Sequence, residues 1–159
     1  MLYQPATISS VNLNNDGKYL VYGANGIIGR YDKYNHELPQ ITITCRGNTC
    51  GTVNYTSGYC WITGNSMVVN TEKFTTIVNQ RYLFHYLNSI DFSGIISGSG
   101  QPQIVRTPLE KLNIFLPILS EQQKISANID LILSKFSLEQ SVLGCLLAQK
   151  KILLQQMFI

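Results

Sequence analysis

Charged residues and long hydrophobic runs are both scarce in this sequence. Asp, Glu, Lys and Arg make up 13% of the 159 residues, and 12 basic against 9 acidic side chains give a net charge of +3. A strongly basic DNA-coating protein is therefore excluded, and 45% hydrophobic residues argue against a disordered chain. No run approaches the ~18 apolar residues of a membrane span, and residues 1–10 lack the pattern of a secretion signal. We expect a cytoplasmic protein without a membrane partner.

Motifs for metal binding and nucleophilic catalysis are also missing. The four cysteines are not arranged in the close pairs of a zinc ribbon or finger. We therefore expect Cys45, Cys50 and Cys60, together with His36, to be core residues rather than zinc ligands. A nucleophile pair of Cys50 with His85 stays open, because such partners meet only in space, but no motif supports it. No metal and no cofactor are expected.

Two glycine-rich segments resemble nucleotide-binding loops only superficially. Residues 23–29 lack the Gly-x-Gly pair of a dinucleotide loop, and no amphipathic helix follows them to bind a phosphate. Residues 97–100 are not followed by the Gly-Lys-Ser/Thr of a Walker loop. Neither segment is therefore predicted to bind a nucleotide.

The composition changes at Pro117. The region before it is rich in Gly, Asn, Thr and Tyr, and its short β-branched and aromatic runs between turn residues are typical of strands. We expect an α+β fold with a globular, strand-rich domain over residues 1–117. The predicted elements are strands at 18–22, 40–44, 51–55, 60–63, 66–69 and 112–116, a tight hairpin turn at Gly64-Asn65 and a helix from Phe74 to Asn88.

The region over residues 118–159 has the pattern of one long helix. Ser120 and Gln123 are spaced to form a capping box at its start. Steps of four and three residues connect an apolar stripe that is broken only by Glu139 and Lys150, which predicts a coiled coil. At ~58 Å the helix should project and pair with a partner, and the alternative is a helix folded back onto its own domain. The expected dimerisation residues are Ile125, Ile129, Ile132, Phe136, Leu143, Leu146, Leu153 and Met157.

Basic, amide and aromatic side chains are interleaved in the first region. Arg matches guanine edges, Asn and Gln match adenine edges, and Lys mostly binds phosphate. Ordinary solvated loops are the alternative to a DNA-binding surface. The candidates for bases or nearby phosphates are Arg30, Arg46, Asn48, Gln101, Gln103 and Arg106, and those for the DNA backbone are Lys33, Tyr34 and Lys73.

Several segments, in order along the chain, resemble the target recognition domains of type I restriction-modification specificity subunits. The most characteristic is Asp16-Gly-Lys-Tyr-Leu-Val-Tyr-Gly-Ala-Asn-Gly-Ile-Ile-Gly-Arg-Tyr-Asp32, which is similar to the opening motif of the family. The resemblance covers nearly the whole chain. The other matching segments are residues 41–54 (central hairpin), 61–67 (the segment after it), 98–104 (closing segment), 116–125 (exit into a spacer helix) and 154–158 (helix end).

The resemblance implies a protein with no catalytic residue of its own. A separate modification subunit would transfer a methyl group from S-adenosylmethionine to adenine, and a separate restriction subunit would translocate and cleave DNA. Members of the family typically carry two recognition domains and two antiparallel helices, whereas this sequence has one of each. We therefore expect a half-subunit that forms a homodimer through its helix and recognises a palindromic bipartite site in double-stranded DNA.

Three other functions stay open on sequence grounds. They are a truncated, inactive relic, an oligomerising scaffold without a DNA role, and a small thiol enzyme.

Charge adds one expectation to the DNA-binding hypothesis. Eight basic against six acidic residues precede Pro117, and four against three follow it. Since neither part is strongly basic, one domain alone should bind DNA weakly.

Overall fold

The computed structural model describes residues 1–8, 13–14, 16–24 and 26–157. Its strands are β1 (Leu2–Tyr3), β2 (Tyr19–Gly23), β3 (Gly26–Tyr31), β4 (Ile41–Thr44), β5 (Val53–Tyr55), β6 (Cys60–Ile62) and β7 (Ser66–Val69). Its helices are α1 (Gln80–Asn88), α2 (Arg106–Glu110) and α3 (Leu119–Met157), with short 3-10 turns at Glu72–Phe74 and Ser93–Ile95. The expected α+β fold is confirmed: a strand-rich domain is followed by one long helix.

Strand β4 lies inside the larger sheet, which has the order β1-β7-β4-β5 with antiparallel neighbours. Its alternating side chains are buried on both faces. Ile41 and Ile43 pack in one core cluster with Leu83 and Leu87 of α1. On the opposite face, Val68 of the neighbouring β7 packs against residues of the smaller sheet. The pairing of β4 with β5 confirms the predicted central hairpin.

The smaller sheet has the order β3-β2-β6. Strands β2 and β3 form an antiparallel hairpin, and β6 runs parallel to β2 on its other side. Of the glycine-rich motif, Gly23 therefore ends β2 and residues 26–29 belong to β3, a strand that the sequence patterns do not predict. Asn25 of this motif lies outside the described residues.

The hairpin predicted at Gly64-Asn65 is wrong, because β6 and β7 belong to different sheets. The Thr63 N–H donates to the Tyr22 carbonyl of the smaller sheet at 2.9 Å. The Asn65 carbonyl accepts from the Cys45 N–H, next to the larger sheet, at 2.9 Å. The turn thus carries the chain from one sheet to the other. A turn motif between two strands does not by itself show that the two strands pair with each other.

The strand predicted at residues 112–116 is also wrong. The Tyr82 hydroxyl donates to the Phe115 carbonyl at 2.9 Å, and the Phe115 N–H donates to the Tyr86 hydroxyl at 3.2 Å. Side chains of α1, rather than a neighbouring strand, therefore satisfy the backbone of Phe115. Leu112 and Ile114 line an apolar cavity between β1 and α1. The apolar alternation reflects the packing of a connecting segment.

Helix α1 is shorter than predicted. It begins at Gln80 instead of Phe74, because the side chain of Asn79 accepts a hydrogen bond from the Tyr82 N–H at 2.8 Å and caps the helix. The preceding residues form a 3-10 turn and a connecting segment.

The predicted capping box of α3 is wrong as well. The helix begins at Leu119, and the Gln122 N–H donates to the Ile118 carbonyl at 3.1 Å. Ser120 therefore lies within the first turn, where its side chain cannot cap the helix together with Gln123.

Gln122 fixes the start of α3 to the domain. Its side chain is completely buried, and its amide oxygen accepts from the Asn79 N–H at 2.8 Å. Its amide nitrogen donates to the carbonyls of Ile77 at 2.9 Å and Pro117 at 2.7 Å. One side chain thus joins the start of α1, the segment before it and the segment that leads into α3.

Asp130 makes a second attachment, two turns further along α3. Its carboxylate accepts two hydrogen bonds from the Arg81 guanidinium, one of them at 3.0 Å, and lies 2.8 Å from His85 Nε2. The hydrogen bond from Arg81 is the main cause that lowers the pKa of Asp130. The same guanidinium lies over the Tyr55 ring, 4.8 Å from its centroid. These contacts set the direction in which α3 leaves the domain.

Beyond Asp130 the helix projects away from the domain. Every described residue from 131 to 157 is exposed, including large apolar side chains such as Ile132 (65%) and Phe136 (58%). The projecting helix is confirmed, and the alternative of a helix folded back onto its own domain is not observed. Phe158, which the family resemblance included in the helix end, lies outside the described residues.

Candidate nucleic-acid interface

Two loops meet at the end of β4 and carry amide and guanidinium side chains. The Gly47 N–H donates to the Pro102 carbonyl at 3.0 Å, and the Ile104 N–H donates to the Cys45 carbonyl at 3.0 Å. We term residues 45–52 and 97–103 the loop pair. Four predicted DNA-contacting residues lie on it, and the structure therefore brings together Arg46, Asn48, Gln101 and Gln103.

Arg46 and Gln103 are direct neighbours across the loop pair. They face each other in an antiparallel bridge, and both side chains are exposed. Gln103 is also held from its other side by Ser97, through backbone hydrogen bonds of 2.8 and 2.9 Å. Residues opposite each other in such a bridge have Cβ atoms about 5 Å apart. The guanidinium of Arg46 and the amide of Gln103 can therefore contact neighbouring guanine and adenine edges at the same time.

Glycines fix the shape of both loops. Gly47 has φ +85° and Gly98 has φ +94°, a region that side chains disfavour. A Cβ atom at Gly98 would also lie 2.4 Å from the Gln101 carbonyl oxygen. The turn after Arg46 and the turn before Gln103 therefore both depend on glycine.

The turn of the β2–β3 hairpin is tied to the loop pair. The Ala24 carbonyl accepts from the Thr44 hydroxyl at 2.6 Å and from the Thr49 hydroxyl at 3.1 Å. Both sheets thus support the loop that carries Arg46.

The loop pair carries one charge. Residues 45–52 and 97–103 contain Arg46 but no Asp, Glu or Lys. Uncharged amide and hydroxyl groups can hydrogen-bond to bases, and the lack of a carboxylate avoids repulsion from DNA phosphates. This chemistry is suited to base recognition and contributes little long-range attraction to DNA.

Three other predicted residues lie apart from the loop pair, at or beyond the open end of the β2–β3 hairpin: Arg30, Lys33 and Tyr34. The Tyr34 ring meets the rings of Tyr19 and Tyr59 edge-on, with centroid distances of 5.0 and 5.3 Å. The Lys18 ammonium lies 5.3 Å from the centroid of the Tyr19 ring. We term Lys18, Tyr19, Tyr34 and Tyr59 the tyrosine patch.

Three members of the tyrosine patch are not among the residues predicted from the sequence. Lys18-Tyr19 repeats the basic-aromatic pairing of Lys33-Tyr34, so the sequence carries the same signal at both places. Tyr59 has no such signal: it is 54% exposed and adopts φ +46°, which is unfavourable for a residue other than glycine. The Tyr34 hydroxyl also donates to the Glu37 carboxylate at 3.4 Å. The exposed rings are therefore better suited to an unstacked base than to a DNA phosphate.

Two of the predicted arginines contact groups of their own chain. The Arg106 guanidinium forms an ion pair with Glu110 at 2.7 Å within α2. The Arg30 guanidinium donates to the Gly17 carbonyl at 3.3 Å within its own hairpin. Lys73 lies in the 3-10 turn after β7, and it too is outside the loop pair.

Among the described residues, the hydrogen bonds of the two histidine rings go to Tyr3, Asn35 and Asp130 rather than to a cysteine thiol. Burial raises the pKa of Cys45 to about 11 and also raises that of Cys60, so both thiols stay protonated at neutral pH. Cys50 lies in the loop pair, whereas His85 contacts Asp130 at the junction with α3. Among the residues that the structure describes, no three His, Cys, Asp or Glu side chains are grouped as metal ligands.

His36 belongs to the packing between the two sheets. Its Nε2 lies 2.7 Å from the Tyr3 hydroxyl, and its Nδ1 lies 2.6 Å from Asn35 Oδ1. Burial lowers the pKa of His36 and therefore favours the neutral ring.

Comparison with known proteins connects this architecture to one family. Residues 4–143 match the model of the type I restriction modification DNA specificity domain. The type I restriction enzyme EcoprrI specificity subunit of Escherichia coli is 29% identical over 112 residues, which cover 70% of this chain and 27% of that protein. The chain thus spans much less than the full length of this relative.

Solved structures show the same fold. The S subunit of a type I restriction-modification system from M. genitalium superposes with a TM-score of 0.72 at 17% identity, covering 86% of this chain and 37% of that one. The HsdS subunit from Thermoanaerobacter tengcongensis gives a TM-score of 0.58 at 17% identity, covering 86% and 36%. The family model matches most of the sequence, so this chain belongs to the family of type I restriction-modification specificity subunits.

Proposed function

We propose that this protein is the DNA-recognition subunit of a type I restriction-modification complex and acts as a homodimer on a palindromic bipartite site. In this proposal residues 1–117 are the target recognition domain and residues 118–159 are the spacer and dimerisation helix. The observation that carries the proposal is the placement of Arg46 beside Gln103 on the loop pair.

The position of the loop pair within the domain supports this function. The start of β4 lies near the attachment of α3, because Gln80 donates to the Pro39 carbonyl at 3.0 Å and the adjoining Asn79 binds Gln122. Arg46 follows the other end of the same strand. The base-reading side chains are therefore separated from the helix by the length of β4. A domain built in this way can contact DNA while its helix contacts another subunit.

The exposed part of α3 supports pairing with a second copy. Its stripe leaves Leu143 and Leu146 each 57% exposed, and a helix with such a stripe gains stability when apolar surface is removed from water. Two identical chains related by a two-fold axis would present two identical recognition domains, and such a dimer reads a palindrome.

Catalysis is assigned to partner subunits. A modification subunit supplies S-adenosylmethionine-dependent adenine methylation, and a restriction subunit supplies ATP-driven translocation and cleavage. Family membership and the protonated state of Cys45 and Cys60 support a non-catalytic role for this chain. The protein supplies recognition of the target sequence and the scaffold of the complex.

The composition of α3 also fits a membrane span by length and hydropathy alone, with an 18-residue window of mean hydropathy 1.4. Two features favour a coiled-coil helix in the cytoplasm, where DNA is present, over a membrane span. Glu139 and Lys135 lie in the exposed stretch of α3, and ionisable groups inside a bilayer are costly. Gln122 and Asp130 also anchor its start to a DNA-recognition fold.

Selection from a random duplex library tests the proposal. The chain is purified together with a type I modification subunit, and bound DNA is sequenced after several rounds. Enrichment of one bipartite palindrome is expected, together with loss of one specified position in the Arg46→Ala variant. A complex that forms but enriches no sequence would identify a scaffold or an inactive relic and contradict the proposal.

A further inference from the structure

We propose that two copies of α3 pair antiparallel in a single register, in which Glu139 of each copy faces Lys150 of the other. The inference rests on the proposed homodimer and adds its geometry. The partner it requires is a second copy of this chain.

The charges in the apolar stripe select this register. The stripe is interrupted by one acidic and one basic residue, Glu139 and Lys150, and both are exposed. A parallel pair in register would place each of these charges opposite its own copy, which is a like-charge contact, whereas an antiparallel pair can place opposite charges together. In an antiparallel pair of identical helices, one facing pair determines all the others. Placing Glu139 opposite Lys150 produces two symmetric ion pairs and neutralises every charge in the stripe. It also places Leu143 opposite Leu146 at the centre of the contact.

The same register matches apolar residues along the rest of the helix. Phe136 faces Leu153 and Ile132 faces Met157, all of which are more than half exposed in one copy. The overlap therefore begins at Ile132, the first stripe residue beyond Asp130, where α3 leaves its own domain.

The stripe residues nearer the domain lie beside α1. Ile125 and Ile129 line a groove with Tyr82, Tyr86 and Phe115 of the same chain. They lie outside the overlap in the proposed register. The two parts of the stripe thus have different partners: the first packs along α1, and the second packs against the other copy.

A register shifted by one heptad, so that the two helices overlap further, is less favourable. It would place Glu139 opposite Leu143 and Lys150 opposite Ile132, so each copy would bury two charges without partners. It would also push Met157 against Ile125, beside the domain of the other chain.

The register sets the distance between the two recognition domains. The two-fold axis passes between Gly144 and Cys145, and each Asp130 lies about 22 Å from it at 1.5 Å per residue. The two Asp130 attachments are then about 44 Å apart along the helices, against about 33 Å in the shifted register. The difference corresponds to about three base pairs of B-DNA.

Cysteine cross-linking distinguishes the registers in the full-length chain. Cys145→Ser removes the exposed thiol of α3. In this background Phe136→Cys with Leu153→Cys should give a rapid and nearly complete disulfide-linked dimer on a non-reducing gel. The matched control, Phe136→Cys with Leu146→Cys, places its cysteines opposite each other in the shifted register and should stay largely monomeric on the gel. Phe136→Cys alone tests for a parallel pair.

A charge exchange gives an independent readout. Glu139→Lys and Lys150→Glu should each raise the dissociation constant of the dimer by at least about tenfold, and the double variant should restore most of the wild-type value. The measurement is sedimentation equilibrium of the folded variants, with circular dichroism as the folding control.

The outcomes separate the register from the homodimer. Efficient cross-linking of the matched control, or of the Phe136→Cys single variant, would overturn the register but leave a dimer. Additive effects of the two charge changes would overturn it as well. A wild-type chain that stays monomeric both alone and with the modification subunit would overturn the homodimer itself, together with the register.

Discussion

Arg46 and Arg106 carry the same guanidinium group but differ in what surrounds it. Arg106 Nε lies 2.7 Å from a Glu110 carboxylate oxygen, so a negative charge stands beside any DNA phosphate that this guanidinium would contact. Arg46 lies opposite Gln103 on loops that contain no carboxylate. Sequence chemistry selected both residues for base contact, and their local contacts distinguish them.

The Arg46→Ala variant tests this difference. We expect it to weaken binding to the cognate site by about 1–3 kcal/mol and to relax one target position, because a bidentate contact to guanine is lost. Arg106→Ala is the matched control and should have a smaller effect on all sequences alike. Fluorescence anisotropy with cognate and single-base-changed duplexes measures both. Unchanged affinity and target pattern in Arg46→Ala would refute its assignment.

At the scale of elements, α3 is anchored by a few polar contacts. Gln122→Leu should lower the free energy of unfolding by about 1–3 kcal/mol, because it removes the hydrogen-bonding partners of buried backbone groups. Gln123→Leu changes an exposed neighbour and is the control. Urea denaturation followed by circular dichroism measures both. Equal stability of the two variants would mean that the buried amide does not anchor the helix.

The ion pair of Asp130 with Arg81 leads us to expect that the stability of the folded protein depends on pH. Since Arg81 lowers the pKa of Asp130 below its unfolded value of about 3.9, this group stabilises the folded state above that pH. The stabilisation should disappear as the pH falls through the lowered folded-state pKa. Melting temperatures of the wild type and Asp130→Asn should therefore differ at pH 6 and converge only when the pH falls below the lowered folded-state pKa, which a series from pH 6 down to about pH 2 follows. Asp32→Asn serves as an exposed control. A difference that persists at the lowest pH would contradict the ion-pair explanation.

Local sequence patterns predict the strands and helices better than they predict which of these elements pair or pack with each other. The strands around Val21 and Ile43 and the long helix follow from side-chain periodicity, which is a local property. The separation of β6 from β7 into two sheets depends on distant bonds such as that from Thr63 to Tyr22. Residues 112–116 form no strand, and tyrosines of α1 hydrogen-bond to the backbone of Phe115 instead. Sequence periodicity does not record such tertiary contacts.

The candidate site was predictable in chemistry but not in position. Arg46, Asn48, Gln101 and Gln103 were selected by residue type, and only the bridge between their loops brings them together. Tyr59 was missed because its exposure and left-handed backbone come from tertiary structure.

At the scale of the whole molecule, modest charge implies that affinity depends on assembly. With a net charge of +3, the isolated chain should bind duplex DNA with a dissociation constant no tighter than about 1 µM at physiological salt. Addition of the modification subunit should tighten binding by about 100-fold or more, because several sites then act together. Anisotropy titrations with and without that subunit test this. Tight, sequence-specific binding by the chain alone would contradict it.

The central claim is that this chain, as a symmetric dimer, determines which DNA sequence a type I complex recognises. The methylome provides its most direct test. The modification subunit is expressed in a host without methylation of its own, with and without this chain, and methylated adenines are mapped by single-molecule sequencing. The account predicts methylation at one palindromic bipartite motif that appears only when the chain is present. Methylation of an asymmetric motif, or a pattern that does not depend on the chain, would contradict it.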